Sequence, residues 1–392
     1  MSSTLPILII GAGPVGLSLA RALTLAGVNA QVYEALPELS PEARASTFHP
    51  PTLEMFSAWG VIEPVLRQGH KVSRLQYWER ATRSRVADFD YALIARDTPH
   101  PYRLQLPQCE VTRILKPLVE SSPHGAVFMS HTLVSFTDHG DHVTATFETP
   151  GGMKTVEGLY LCAADGAKST VRRLLGLSFE GLTYPDRFLL LPSDIDLNPV
   201  FPNLGPVNYV FDPQEWVIIL HLPDVVRIVF QIRPDEDMSE VLHPDSIQRR
   251  MRGLVGDAPF KIRGVSIYSV HQRVAETFRR GRVILLGDAA HINNPAGGMG
   301  MNSGIHDAAN LADKLIRVLG GEPETLLEQY AAERRAWAVD KVQKHTHTVY
   351  SDMVVQDEAA RQARNAAYRE MSADPARARE YLLRASMLEE RI

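Results

Sequence analysis

Cysteine is nearly absent. The 392 residues include only Cys109 and Cys162, too few for a disulfide framework or a cysteine-built metal site. Cys162 lies in an apolar run and reads as a buried, inert thiol. Long apolar stretches are missing too, none approaching the roughly 18 uncharged residues of a membrane-spanning helix. The N-terminus lacks the basic start and cleavage site of a secretory leader. Together these point to a soluble cytoplasmic protein with no membrane partner. There is no basic block, and the net charge of −5 gives no reason to expect nucleic acid. No internal repeat or low-complexity linker appears. What remains is an ordinary globular composition, 22% charged and 45% hydrophobic, long enough for two or three packed units.

Against that plain background stand three glycine-and-acid fingerprints, each following a strand-like run. Gly11-Ala12-Gly13-Pro14-Val15-Gly16 follows residues 5–10, a continuous apolar run of the kind a strand buried on both faces shows. In such a turn Gly11 permits the bend and Gly13 lets backbone approach a pyrophosphate. Gly16 lets the helix that follows, to about residue 26, pack on its strand. Amides at the helix start suit a diphosphate. A second strand, residues 30–33, ends at Glu34, the spacing expected of an acid that binds ribose hydroxyls. Asp165-Gly166 follows residues 159–164. Gly287-Asp288 follows residues 282–286 and leads through Ala289-Ala290-His291 into Pro295-Ala296-Gly297-Gly298-Met299-Gly300-Met301-Asn302. There is no second Gly-x-Gly-x-x-Gly unit for a separate nicotinamide domain.

Between the fingerprints the texture changes. A helix is expected near residues 51–59. Short strands at 126–130, 132–138, 142–148 and 155–163 read as an antiparallel ribbon with turns at His139-Gly140-Asp141 and Pro150-Gly151-Gly152. From about Gly181 to Ser269, strands at 207–211, 216–222, 225–233 and 261–270 dominate, with one helix near 246–255. The expected architecture is an α/β, Rossmann-like nucleotide-binding domain with an inserted antiparallel β-sheet and C-terminal helices. Its divisions are residues 1–180, the inserted sheet at 181–270, a return at 271–320, and a helical tail at 321–392. The tail either covers the sheet or forms a homodimer surface.

The three fingerprints in this order resemble those of single-component flavin monooxygenases of the p-hydroxybenzoate hydroxylase type, the aromatic-ring hydroxylases. The resemblance covers nearly the whole chain. It implies FAD as cofactor, NADH or NADPH as electron donor, and O2 as co-substrate. It further implies hydroxylation of an aromatic or heteroaromatic small molecule through a C4a-hydroperoxyflavin. On it, Gly11, Gly13, Gly16, Glu34, Arg44, Gln108, Asp165, Asp288, Gly300, Met301 and Asn302 are expected at the cofactor. Pro295 matches a proline whose carbonyl faces the reactive flavin edge. Ser169 and Arg172, near a helix start, would favour phosphate, whereas His291 reads as structural.

For the substrate side, strand phase puts Arg227, Val229, Gln231 and Arg233 on one face. Arg227 falls where the family has a flavin-contacting arginine. His221 falls where the type enzyme has the arginine for its substrate carboxylate, a departure that argues against p-hydroxybenzoate itself. Tyr209 is a candidate for holding a ring hydroxyl, and His49 either approaches the active site or braces its loop. A flavin halogenase, a non-oxygenating oxidoreductase and a non-catalytic flavin binder share the scaffold. The halogenase tripeptide Trp-x-Trp-x-Ile is absent.

Overall fold

A computed structural model describes residues 5–42 and 45–391. The first apolar run forms the strand Ile7–Ile10, buried along its length. A strand covered on both faces has no polar side to alternate with, hence its four aliphatic residues. It sits within a six-stranded sheet ordered Arg279–Arg280, Val283–Leu285, Tyr160–Ala163, Ile7–Ile10, Ala30–Tyr33 and Gly125–Phe128. All pairings are parallel except at the short Arg279–Arg280 edge.

The register of this sheet positions the site. Ile10 lies opposite Ala163 on one side and Tyr33 on the other, and Ala163 lies opposite Leu285. All three fingerprints and Glu34 therefore leave the sheet side by side, from the carboxyl ends of neighbouring strands. That edge is where open α/β sheets bind ligands.

Two expectations about the ribbon need correction. It consists of Thr132–Asp138, Val143–Thr149 and Gly152–Gly158, and residues 125–128 belong to the parallel sheet beside Ala30–Tyr33. The run at 155–163 is two strands, because the chain presses on the first strand at Gly158. A Cβ there would lie 2.4 Å from Leu8 Cγ.

The second sheet has nine strands. It contains Val207–Phe211, Val217–His221 and Val226–Ile232, joined by a 17-residue strand, Phe179–Ile195. The run at 261–270 divides into Phe260–Ile262 and Ser266–Ala275. Two strands from the first part of the chain, Arg74–Glu79 and Ser84–Asp90, extend the sheet through a parallel pairing of Arg74–Glu79 with Val207–Phe211.

Period-two alternation gives this sheet two apolar faces. Val210, Val217, Ile219, Ile228 and Phe230 pack with Ile247, Met251 and Leu254 of the helix Pro244–Val255. Tyr77, Tyr209, Phe211, Ile218 and Val229 lie under the C-terminal helices. There Tyr368 of Glu358–Ala373 and Tyr381 of Pro375–Ala385 pack around Tyr77, the first tilted and the second edge-on. The tail thus covers the sheet. Among the described residues no helix is long and apolar enough to cross a membrane.

Candidate active site

The three glycines of the first fingerprint are held for different reasons. Gly11 has φ +105°, and a Cβ there would lie 2.4 Å from the Ala164 carbonyl oxygen. A Cβ on Gly16 would lie 2.0 Å from the Gly11 oxygen. Both are glycine because the protein's own backbone fills the space. Gly13 has an ordinary φ of −72°, and nothing stands within 4 Å of its Cβ position. Neither strain nor packing requires glycine there, whereas a ligand brought against the backbone does. The helix Pro14–Leu25 that begins beside it has no side-chain cap and no acid in its first turn. Its opening amides are left for an anion. These residues fit the diphosphate of FAD.

Glu34 closes on the same turn, its Oε2 accepting from the Ala12 amide at 2.8 Å and its Oε1 from the Leu36 amide at 3.0 Å. Asp165 Oδ2 accepts from the Thr170 and Val171 amides, and its buried Oδ1 has no partner. Burial pushes this carboxyl up, against the pull of Ser169 and the two amides. Ser169 caps the short helix Thr170–Leu174 by accepting from the Arg172 amide. Arg172 does not reach toward a phosphate. Its guanidinium donates to the Ala167 and Ala289 carbonyls and lies 3.7 Å from the centre of the Phe179 ring. It ties the second fingerprint to the third.

Under the third fingerprint lies a charge cluster. Asp307, fully buried in the helix Gly300–Leu319, accepts from the Gly287 amide at 3.0 Å and from His291 Nε2 at 2.9 Å. Its other oxygen accepts from Arg334 Nε at 2.7 Å. Burial pushes the Asp307 carboxyl up, but His291 and Arg334 outweigh it and hold it below the usual range. His291 is stacked on Phe278 and committed to this cluster. Asp288 is exposed and follows Gly287, whose Cβ position lies 3.0 Å from Val15 of the first fingerprint. Asp288→Ala is expected to fold normally and to weaken FAD binding by roughly 1.5–3 kcal/mol, the worth of a charge-assisted hydrogen bond. Flavin content per chain after gel filtration checks this.

The glycine-rich segment is gripped from three elements. Gly297, at φ +86°, donates its amide to Tyr209 Oη at 2.9 Å. Its carbonyl lies 3.0 Å from His49 Nε2. A carbonyl only accepts, so Nε2 carries the proton, and the buried His49 Nδ1 is left bare and without a partner. Asn302 accepts from the His49 amide and Thr52 and donates to the Thr47 and Gly298 carbonyls. Its side chain locks the loop while its backbone starts the helix. That helix also lacks a side-chain cap, so the amides of Gly300, Met301 and Asn302 are available to a ligand. Pro295 is exposed, its carbonyl accepting from the Gly298 amide.

On the large sheet, Tyr209 pairs with Ile218, and Arg227 pairs with Leu220. Ile218 and Leu220 share a face, so Tyr209 and Arg227 do as well. The side chain of Arg227 is buried, hydrogen-bonds to no described residue and has Tyr268, Cys109 and Asp224 as its titratable neighbours. Cys109 follows Gln108, the first residue of the helix Gln108–Glu120, so Arg227 and Gln108 border one region. His221 alternates onto the opposite face, with Val217 and Ile219. There burial lowers its pKa, and its titratable neighbours are His70 and Asp196. It is not brought together with Tyr209 and Arg227. Arg44 lies outside the described residues.

Two residues beside this loop escaped the reading of the sequence. Arg103, 2% exposed on the strand Arg103–Gln105, donates to the Ala385 carbonyl. Its Nε has no partner. His345 stands at the start of the helix Lys344–Met353, just after a π-helical turn, Ala338–Gln343. A single arginine before Leu-Gln-Leu and a histidine in a polar helical tail carry no local signal. Only the fold brings them to Gly297.

Known proteins are similar to this chain in sequence and in fold. A family model described as an FAD binding domain matches residues 4–345. Para-nitrophenol 4-monooxygenase from Pseudomonas sp. (strain WBC-3) is 30% identical over 382 residues, 96% of this chain and 94% of that one. 6-Hydroxy-3-succinoylpyridine 3-monooxygenase from Pseudomonas putida (strain DSM 28022 / S16) is 32% identical over 350 residues, 87% of each chain. The crystal structure of p-nitrophenol 4-monooxygenase from Pseudomonas putida DLL-E4 superposes with a TM-score of 0.92 at 30% identity. That match covers 98% of this chain and 99% of the other. A complex of aklavinone-11 hydroxylase with FAD and aklavinone superposes at 0.79 and 28% identity, covering 90% of this chain and 70% of that one.

Proposed function

Because this chain belongs to the FAD-binding family of aromatic-ring monooxygenases, we propose that it hydroxylates an aromatic or heteroaromatic small molecule using NADH or NADPH and O2. The observation that carries the reading is the meeting of three fingerprints on one sheet edge around the open position at Gly13. Two relatives named for ring compounds, a nitrophenol and a hydroxypyridine, support the substrate class. FAD, when bound, supplies the redox chemistry, accepting electrons from the nicotinamide and passing one atom of O2 to the ring.

The protein's share is binding, orientation and exclusion of water. Gly11, Gly13 and Gly16, with the amides of the following helix, hold the diphosphate. Glu34 takes ribose hydroxyls and Asp288 takes the ribityl chain. Asp165 fixes the helix start beside them. The amides of Gly300, Met301 and Asn302 meet the pyrimidine end of the flavin, where a helix N-terminus stabilises negative charge. Gln108 and Arg227 border the flavin, and Pro295 stands at its reacting edge. Tyr209 braces Gly297 through its oxygen and keeps its own proton to donate to a ring substituent. His221, on the far face, has no part in this arrangement. Residues 1–180, apart from the strands Arg74–Glu79 and Ser84–Asp90 that join the large sheet, and 271–320 make the cofactor unit, with 181–270 the substrate floor and 321–392 its cover. A need for NAD(P)H suits the cytoplasm.

The nicotinamide has no Gly-x-Gly-x-x-Gly site of its own and binds transiently. Adding the right aromatic compound should speed NAD(P)H oxidation by the yellow protein at least about tenfold, a barrier change of about 1.4 kcal/mol. A panel of phenols and hydroxypyridines that leaves the rate unchanged would overturn the proposal.

A further inference from the structure

Gly297 is enclosed by three side chains. Tyr209 takes its amide and His49 its carbonyl, leaving one flank, and there His345 stands. A Cβ on Gly297 would lie 3.7 Å from His345 Cδ2 and 3.9 Å from its Nε2. His345 is partly exposed, and neither ring nitrogen bonds to a described residue. An imidazole with both nitrogens open, against the loop expected at the flavin's reacting edge, is placed to meet a ligand.

Behind it lies a cation without a counterion. Arg103 pairs with no described carboxylate, and its surroundings are Tyr91, Tyr209, Tyr381 and Tyr77. Close by, the buried His49 Nδ1 has no partner, and Tyr91 Oη faces Ser386 Oγ and Arg103 without a well-formed hydrogen bond. A guanidinium sealed from water and paired only with a carbonyl is costly unless negative charge arrives near it. Its field reaches both imidazoles. Burial first and Arg103 second lower His49 well below the ordinary range and His345 to about 4. Arg384, on the last long helix, adds to the effect on His345.

Resting on the function proposed above, we infer that His345 is the hydrogen-bond partner of the substrate's ring hydroxyl and that Arg103 is the buried charge that holds that hydroxyl as its anion. The O–H bond breaks with its electron pair staying on oxygen. The proton leaves past the open imidazole nitrogen to solvent, which His345 touches, and the imidazole, disfavoured as a cation beside Arg103, does not keep it. Arg103 acts through space as a positioning residue, and His345 acts by contact. An electron-rich phenolate is the form of the ring that accepts an oxygen atom most readily.

The test uses the FAD-loaded protein and 4-nitrophenol, whose anion has its own absorption, with 4-nitroanisole as a probe lacking the hydroxyl. Difference spectra across pH give both affinity and the ionised fraction of bound probe. Wild-type protein should bind 4-nitrophenol at least about tenfold more tightly than the ether and should lower the pH at which it ionises. His345→Phe should abolish the preference for the hydroxyl, and His345→Gln, which keeps an acceptor, should restore part of it. Arg103→Met should raise the ionisation pH of the bound probe by about one unit, and Arg103→Lys should not. Flavin content and melting temperature, read on every variant, separate loss of fold from loss of recognition. Equal affinity for phenol and ether in the wild type would overturn the inference. So would unchanged binding in His345→Phe, or unchanged ionisation in a folded Arg103→Met. Failure of the wild-type chain to take up FAD would instead sink the function on which the inference rests.

Discussion

Replacing Gly13 with valine should give a folded protein that purifies without its yellow colour. The backbone at Gly13 is extended, with φ −72° and ψ 178°, a conformation any residue adopts. Its Cβ position is open for 4 Å, so nothing in the fold resists the larger residue. What the isopropyl group would occupy is the space through which a diphosphate approaches the amides of Pro14–Leu25. Those amides, with the helix dipole behind them, have no side-chain cap to satisfy them otherwise. FAD affinity should fall by well over about tenfold, about 1.4 kcal/mol at the least, with little change in melting temperature of the FAD-free protein. Gly16→Val is the contrasting case. Its first carbon would already overlap the Gly11 oxygen at 2.0 Å, so that variant should fail to fold. Full flavin occupancy in Gly13→Val would mean that the first fingerprint does not hold the diphosphate.

Asp307→Ala should be the most damaging change to stability. The carboxylate is fully buried and serves three donors: the Gly287 amide, His291 and Arg334. Without it, the buried Arg334 loses this carboxylate at its Nε and the Gly287 amide its acceptor. Removing one partner of a buried pair costs about 3–5 kcal/mol, a large part of the roughly 5–15 kcal/mol that holds an ordinary domain together. Because Gly287 begins the turn that carries Asp288, the loss should also reach the cofactor, and what folds should hold flavin poorly. Asp307→Asn, which keeps shape and one acceptor, should fall between. Urea midpoints with flavin content measure both effects. An unchanged midpoint in Asp307→Ala would show that the cluster bears no weight.

The parallel half of the fold was legible because its signals are local. Residues 7–10 are aliphatic throughout, Gly11 turns, and Glu34 ends the next strand, all within one βαβ unit. The strands Arg74–Glu79 and Ser84–Asp90 were not legible. Their charged residues blur the alternation, and the parallel partner of the first, Val207–Phe211, is far along the chain. The long strand Phe179–Ile195 was hidden by Pro185 and Pro192, with a register shift between Thr183 and Arg187 that the sequence does not announce.

The site divides the same way. Strand phase correctly sets His221 apart from Leu220 and Leu222, but phase does not say which face meets the cofactor. Only the pairing of Leu220 with Arg227 and the seat of the C-terminal helices decide that, and they leave His221 on the other side. Asp307 and Arg334 look like surface charges on polar helices until the helices are packed, and Arg103 and His345 likewise gain meaning only from tertiary contact.

The FAD-loaded protein is given NAD(P)H, a ring compound that speeds its flavin reduction, and oxygen gas carrying the heavy isotope, and the product is weighed by mass spectrometry. The expected ring product has gained one oxygen atom, heavy in the labelled gas and light when only the water is labelled. A product whose added oxygen comes from water, or NAD(P)H consumed with all of the heavy oxygen recovered as peroxide, would contradict the proposed hydroxylation.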